Sequence, residues 1–209
     1  MRKEKFYLAS MFTGIIETTG IVKEITVNGS NKSFWITSPL SSQFKTDQSV
    51  SHNGVCLTVE EIRENSHRVT AIDETLQKTT IGNWKEGTLI NLERCLQING
   101  RIDGHLVQGH VDTTATCTKR KEKEGSWEFE FEFPKKFAAL IIEKGSVCIN
   151  GISLTVFGVK KKSFSVAVIP YTFENTTIKA VHAGDRVNLE FDVIGKYVYR
   201  YFYMKYPGN

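Results

Sequence analysis

Hydrophobic and polar side chains alternate along much of this chain. In Glu128-Phe129-Glu130-Phe131-Glu132-Phe133 the alternation is strict, the period of two expected of a strand with one buried face. Ser163-Phe164-Ser165-Val166-Ala167-Val168 and Leu57-Thr58-Val59 read the same way, alternating and rich in β-branched and aromatic residues. Asn53-Gly54 and Asn150-Gly151 interrupt such runs as turn pairs. Short helical pieces are expected over 134–143, where Pro134 suits a first helical turn, and around 75–81 with an echo at 172–178. The tail differs. Over 196–204, Tyr197, Val198, Tyr201 and Phe202 fall on one face of a helix. That stripe either packs back on the chain's own body or meets copies of itself, and the pattern leaves both open.

The alternating segments occur twice. Ser49-Val50-Ser51-His52-Asn53-Gly54-Val55-Cys56-Leu57-Thr58-Val59 aligns with Ser146-Val147-Cys148-Ile149-Asn150-Gly151-Ile152-Ser153-Leu154-Thr155-Val156 at an offset of 97, with seven of eleven positions identical. The same offset matches Thr79-Thr80-Ile81 with Thr176-Thr177-Ile178, and Asn91-Leu92-Glu93 with Asn188-Leu189-Glu190. At an offset of 95, Gly14-Ile15-Ile16-Glu17-Thr18-Thr19 matches Gly109-His110-Val111-Asp112-Thr113-Thr114. The chain is therefore two copies of one unit. Two are too few for a solenoid, but each is long enough to close a small core of its own. Several short strands per copy, with no βαβ alternation, predict an all-β fold of two tandem closed antiparallel barrels, 11–97 and 98–195, followed by a helical tail, 196–209.

Composition narrows the class. The chain has 209 residues, 40% hydrophobic and 24% charged. No apolar run approaches the roughly 18 residues that span a bilayer, which excludes a helical membrane protein. The four cysteines lie far apart with no C-x-x-C pair, which favours a reducing compartment, and cytoplasm is expected. Residues 1–10 have a charged start and a short apolar run that falls short of a signal peptide. Because Met11 opens a segment echoed later, residues 1–10 are expected to be a dispensable extension. The net charge of +4 sits in the second half, in Lys119-Arg120-Lys121, Lys135-Lys136 and Lys160-Lys161-Lys162. These runs read as solvated loops or hairpin tips. They lack the interleaved aromatics of a nucleic-acid surface, so no nucleic-acid partner is expected.

Candidate chemistry is sparse. His105 and His110 are the closest histidine pair, but their odd spacing places them on opposite faces of a strand, so no metal site is expected. The copies differ at equivalent places: Cys56 answers to Ser153, and Ile15 to His110. Such divergence suggests two related pockets with different tasks. Cys56, between Val55 and Leu57, reads equally as a core cysteine, and His110 as a satisfied strand histidine.

Met11-Phe12-Thr13-Gly14-Ile15-Ile16-Glu17, Asn53-Gly54-Val55-Cys56-Leu57-Thr58-Val59, Gly104-His105-Leu106-Val107-Gln108-Gly109-His110-Val111-Asp112 and Asn150-Gly151-Ile152-Ser153-Leu154-Thr155-Val156 together resemble riboflavin synthase of the α-subunit type. Asn91-Leu92-Glu93-Arg94 and Lys196-Tyr197 fit as well, so the resemblance covers about 11–200. It implies two six-stranded Greek-key barrels and a C-terminal helix that forms a homotrimer. It also implies transfer of a four-carbon unit between two molecules of 6,7-dimethyl-8-ribityllumazine, giving riboflavin and 5-amino-6-ribitylaminouracil, with no metal or redox cofactor. Association with lumazine synthase is a further implied partnership. The family pattern carries over His110 for proton transfer, Ser49 and Cys56 to activate or supply a nucleophile, and Thr155, Asp192 and Lys144 to orient and balance charge. Lumazine-lining residues are expected in the first copy at Gly14, Ile15, Ile16, Cys56, Leu57, Thr58, Thr70, Ala71, Ile72, Asp73, Glu74 and Thr75. In the second they are Gly109, His110, Val111, Lys144, Ser153, Leu154, Thr155, Ile169, Pro170, Tyr171, Thr172, Phe173 and Glu174. Tyr171 stands where many members have His or Glu, and Asp103 where a second glycine is common. A non-catalytic lumazine- or flavin-binding antenna protein is the alternative.

Overall fold

A computed structural model describes residues 11–206, so the extension expected over 1–10 lies outside the described residues. Twelve strands form two closed antiparallel barrels. The first holds β1 (Thr18–Asn28), β2 (Asn31–Thr37), β3 (Ser49–His52), β4 (Val55–Arg63), β5 (Ser66–Ala71) and β6 (Leu89–Arg94), closing in the order β1-β2-β5-β4-β3-β6. The second holds β7 (Thr113–Lys123), β8 (Ser126–Glu132), β9 (Ser146–Ile149), β10 (Ile152–Phe157), β11 (Ser163–Val168) and β12 (Arg186–Phe191) in the corresponding order. In each, three hairpin-linked strands are flanked by one that arrives over a longer connection, the Greek-key arrangement. After the fifth strand of each barrel comes a short helix, α1 (Asp73–Lys78) or α2 (Pro170–Asn175), and after the last comes α3 (Val193–Lys205).

The alternation works as the pattern predicts. Phe129, Phe131 and Phe133 all point into the second barrel, and Val50, Leu57, Val59 and Val69 fill the first. Closure leaves neither sheet with an open edge. Asn53 and Gly54 both take positive φ at the β3–β4 hairpin, the backbone that a tight Asn-Gly turn requires. One local expectation is corrected. The helix expected over 134–143 is a 3-10 turn over Lys135–Leu140, with Pro134 extended just before it. Lys119-Arg120-Lys121, expected in a loop or hairpin tip, lies on the β7 arm near the end of the β7–β8 hairpin, with Lys119 paired to Glu130 and Arg120 to the carbonyls of Lys179 and Val181.

The first barrel encloses a polar chain. His52 Nδ1–H donates to the Val50 carbonyl at 2.9 Å, and its Nε2 lies 2.9 Å from His67 Nε2. His67 Nδ1 meets Ser41 Oγ at 2.8 Å, and Ser41 meets Ser38 at 2.8 Å. One proton per ring satisfies every contact. Burial favours that neutral state and lowers the His67 pKa to about 4.

The barrels meet about a pseudo-twofold axis made of four asparagines. Asn91 Nδ2 donates to the Asn150 carbonyl and its Oδ1 accepts from Thr177 N, both at 2.8 Å. Asn188 mirrors this, donating to the Asn53 carbonyl at 2.8 Å and accepting from Thr80 N at 2.7 Å. Asn53 and Asn150 in turn receive the backbone N–H groups of Asn91 and Asn188.

Candidate active site

Strand geometry places the candidate residues on the outside of the barrels. With Val50, Leu57 and Val59 directed inward, period two turns Ser49, Cys56 and Thr58 outward. Ser49 pairs with Thr58 and Ser51 with Cys56 across β3 and β4. In the second barrel Ser146 pairs with Thr155 and Cys148 with Ser153. Thr70, on the outer face of β5, exchanges a hydroxyl hydrogen bond with Ser33 at 2.8 Å. Ile72 and Ile169, just beyond these rows, are 54% and 60% exposed, apolar side chains at equivalent places in the two copies. Asp73, Glu74 and Thr75 lie on α1, and Pro170, Tyr171, Thr172 and Glu174 on α2. Lys144 is exposed and ties its backbone N–H to the Val156 carbonyl, next to Thr155.

Four expected lining side chains do not face a mouth. Leu57, Ala71, Leu154 and Phe173 are instead buried in the barrel cores. Phe173 stacks on Trp127 with ring centroids 3.7 Å apart, while the Arg120 guanidinium lies 5.1 Å from its centroid. The grouping of the mouths also changes. The segment bearing Gly14, Ile15 and Ile16 was expected beside Cys56, yet the Gly14 carbonyl accepts from Ser153 N at 2.8 Å and Ile16 packs on the second core. Reciprocally, the Gly109 carbonyl accepts from Cys56 N at 2.8 Å, and Val111 packs on the first core. The Gly109 backbone, next to His110, therefore lies against Cys56 and the Gly14 backbone against Ser153, while Ile15 lines a groove with Gln43, Arg94 and Cys95 of the first copy. The two segments cross as antiparallel neighbours, bridged at Phe12 and Val107. Phe12, Val107 and Cys148 form a small apolar cluster there, with Cys56 and Cys95 packed against it.

His105 and His110 are not on a strand, which removes the premise of opposite strand faces; His105 is buried and His110 exposed. His105 Nδ1 lies 2.7 Å from Ser153 Oγ, and burial lowers its pKa while the nearby Asp192 charge acts against that. Its Nε2 has no hydrogen-bond partner among the described residues. A serine hydroxyl held by a neutral imidazole, with a carboxylate close by, can exchange a proton with a bound ligand. Asp192 also caps α3, its Oδ1 accepting from Ile194 N at 2.9 Å.

Each crossing segment is gripped by a buried carboxylate. Glu93 accepts from Thr13 N, Thr13 Oγ1 and Gly14 N at 2.7–3.0 Å. Glu190, its counterpart on β12, accepts from Gln108 N at 2.7 Å. Sequence reasoning missed His105 as a partner of Ser153, and both glutamates. The available signal was Asn-Leu-Glu, kept in both copies at strand positions where a buried carboxylate is costly.

This frame is a double lumazine-binding barrel. The lumazine binding domain family matches residues 13–95 and again 108–192. Riboflavin synthase of Bacillus amyloliquefaciens is 36% identical over 92% of this chain and 90% of its own length. That of Mycobacterium bovis is 39% identical over 91% and 97%, and that of Saccharomyces cerevisiae 36% identical over 90% and 84%. The chain belongs to the riboflavin synthase family. Its fold also resembles the crystal structure of LumP complexed with riboflavin, with a TM-score of 0.80 at 23% identity over 86% of this chain and 98% of that one. LumP complexed with 6,7-dimethyl-8-(1'-D-ribityl) lumazine gives 0.78 at 24% identity over the same shares.

Proposed function

We propose that the chain converts two molecules of 6,7-dimethyl-8-ribityllumazine into riboflavin and 5-amino-6-ribitylaminouracil by moving a four-carbon unit from one to the other. The observation that carries this reading is that riboflavin synthase relatives span both copies, whose mouths share a frame yet differ in their reactive groups. Donor and acceptor are the same compound, so two versions of one pocket suit the reaction. Holding two flat heterocycles face to face supplies on the order of 7–11 kcal/mol. The first step is loss of a proton from the lumazine C7 methyl, whose carbanion spreads into the ring, so a base with pKa near the working pH suffices. In this reading His110 moves that proton beside Ser49 and Cys56, while Ser153, held by His105, works with Thr155, Asp192 and Lys144 at the other mouth.

The productive site joins the first mouth of one subunit to the second mouth of a neighbour in a homotrimer. Supporting this, Tyr197, Val198, Tyr201 and Phe202 on α3 are 50–73% exposed, apolar area that a partner would cover. No helix among the described residues is long and apolar enough to cross a membrane. The test is conversion of the lumazine to riboflavin by purified protein, in chelator and without nucleotide or reductant. Tight lumazine binding with no riboflavin formed overturns the reading and assigns an antenna-type role.

A further inference from the structure

The two buried glutamates are equivalent in the fold but not in their hydrogen bonds. Glu93 Oε1 receives both the backbone N–H and the hydroxyl of Thr13, its Oε2 receives the Gly14 N–H, and the Ile15 N–H also favours its ionised form. At the equivalent place in the second copy stands Gln108, which offers Glu190 only its backbone N–H. Glu190 Oε2, whose counterpart in Glu93 accepts from Gly14 N, is left buried with no hydrogen-bond partner among the described residues, on a residue 1% exposed. Its other hold is the backbone N–H of His110, which favours the ionised carboxylate.

We propose that Glu190 is the positioning residue for His110: its carboxylate fixes the backbone of 108–110 at the first mouth, and protonation at Oε2 loosens that hold. The inference rests on the reading of His110 as the proton-transfer group. The charged surroundings are mixed. Lys196 on α3 favours ionisation, while Asp112, on the same segment as His110, opposes it. Lys196 Nζ is itself 2.7 Å from Asp112 Oδ2, so its charge is shared. Cys148, paired with Glu190 across β9 and β12, is held in its neutral thiol form by burial and by both glutamates, and brings no compensating charge. Burial dominates and brings the Glu190 pKa to about 7. The proton has a natural seat on Oε2, which leaves Oε1 as a weaker, uncharged acceptor for the N–H of Gln108. A segment held by an ion-assisted bond above neutrality is thus held by an ordinary one below it, and the exchange happens where His110 must act.

The full chain, labelled with nitrogen-15, allows the backbone amide at position 108 to be followed by NMR while turnover is measured on the same samples. The amide should move with a midpoint near 7 in the native chain and stay still in Glu190→Gln. In Gln108→Thr, which restores the hydroxyl donor of the first copy, the midpoint should fall by about one pH unit. The acid limb of kcat should follow the same three patterns, with KM moving less. Movement of the amide that persists in Glu190→Gln, or a midpoint unchanged in Gln108→Thr, overturns the proposal, and the second variant keeps the test open should the first fail to fold. An amide that behaves as expected while kcat ignores it upholds the positioning and instead removes His110 from the chemistry.

Discussion

Replacing Asn188 by alanine attacks the junction between the barrels without touching either core or mouth. The side chain is 1% exposed and serves two partners in the first barrel, donating to the Asn53 carbonyl at 2.8 Å and accepting from Thr80 N at 2.7 Å. Its removal leaves one buried acceptor and one half-buried donor unpaired. At roughly 1–3 kcal/mol for each group left unsatisfied, with water reaching Thr80 more readily than Asn53, the expected loss is about 2–4 kcal/mol. For a chain of this size that lowers Tm by about 5–15 °C. Calorimetry should also show the single transition broadening or splitting, because the lost bonds join the two barrels. Turnover should fall with the junction, since each mouth is closed by a segment tied to the other barrel. Asn91→Ala, which strips the Asn150 carbonyl and Thr177 N, should behave the same way. An unchanged Tm with a single sharp transition in both variants would refute the assignment of the junction to these side chains.

Three further outcomes can be checked directly. Cys56→Ala, His110→Ala, Ser153→Ala and His105→Ala should each cut turnover by roughly 10²-fold or more while lumazine binding changes little; a loss of Tm with turnover per folded molecule intact would make these residues structural. Changing Tyr197, Val198, Tyr201 and Phe202 together to serine should lower the sedimenting mass to that of one chain and abolish turnover while each barrel still binds lumazine; full activity from a monomer would place both mouths of one site in a single chain. His67, with its pKa held near 4 in the fold, contributes stability that is present above the unfolded value of about 6.5 and lost as pH falls towards 4. His67→Gln should flatten that acid loss, worth about 3 kcal/mol at most, and an unaltered acid limb would show that the ring titrates freely.

Barrels, turns and tail helix were legible because each is written in local periodicity. Phe129 and Phe131 announce a buried face by alternation, and Tyr197 and Tyr201 announce a helix by spacing. The duplication was legible because the frame residues are repeated outright. What the chain could not reveal locally was which segment lies against which barrel. Gly14 precedes β1 and Gly109 precedes β7, so adjacency assigns each to its own copy; the observed exchange depends on Phe12 and Val107 bridging between the halves, a contact with no periodic signature. The burial of the Phe173 side chain was illegible for a similar reason. Its counterpart in the first copy is Leu76, and only the presence of Trp127 and Arg120 beside α2 draws the larger ring into a buried stack.

The exchange of segments explains which positions stayed alike in the two copies and which diverged. A side chain at Gly14 would place its Cβ 2.6 Å from that of Ser153, and one at Gly109 would stand 2.7 Å from that of Cys56, both at φ near +76°. Nothing larger than glycine fits at either crossing, whatever the chemistry of the mouth. The four asparagines and two glutamates are bound in the same way, because each satisfies backbone groups that the crossing itself exposes. One residue along, the constraint vanishes: Ile15 is 45% exposed and His110 is exposed in turn. A duplicated barrel can thus vary Ile15 against His110 and Cys56 against Ser153 without disturbing the axis that joins its halves. Because the segments cross, a change in one copy alters the mouth of the other, so two pockets for one compound can take up different tasks while neither barrel gives up its core.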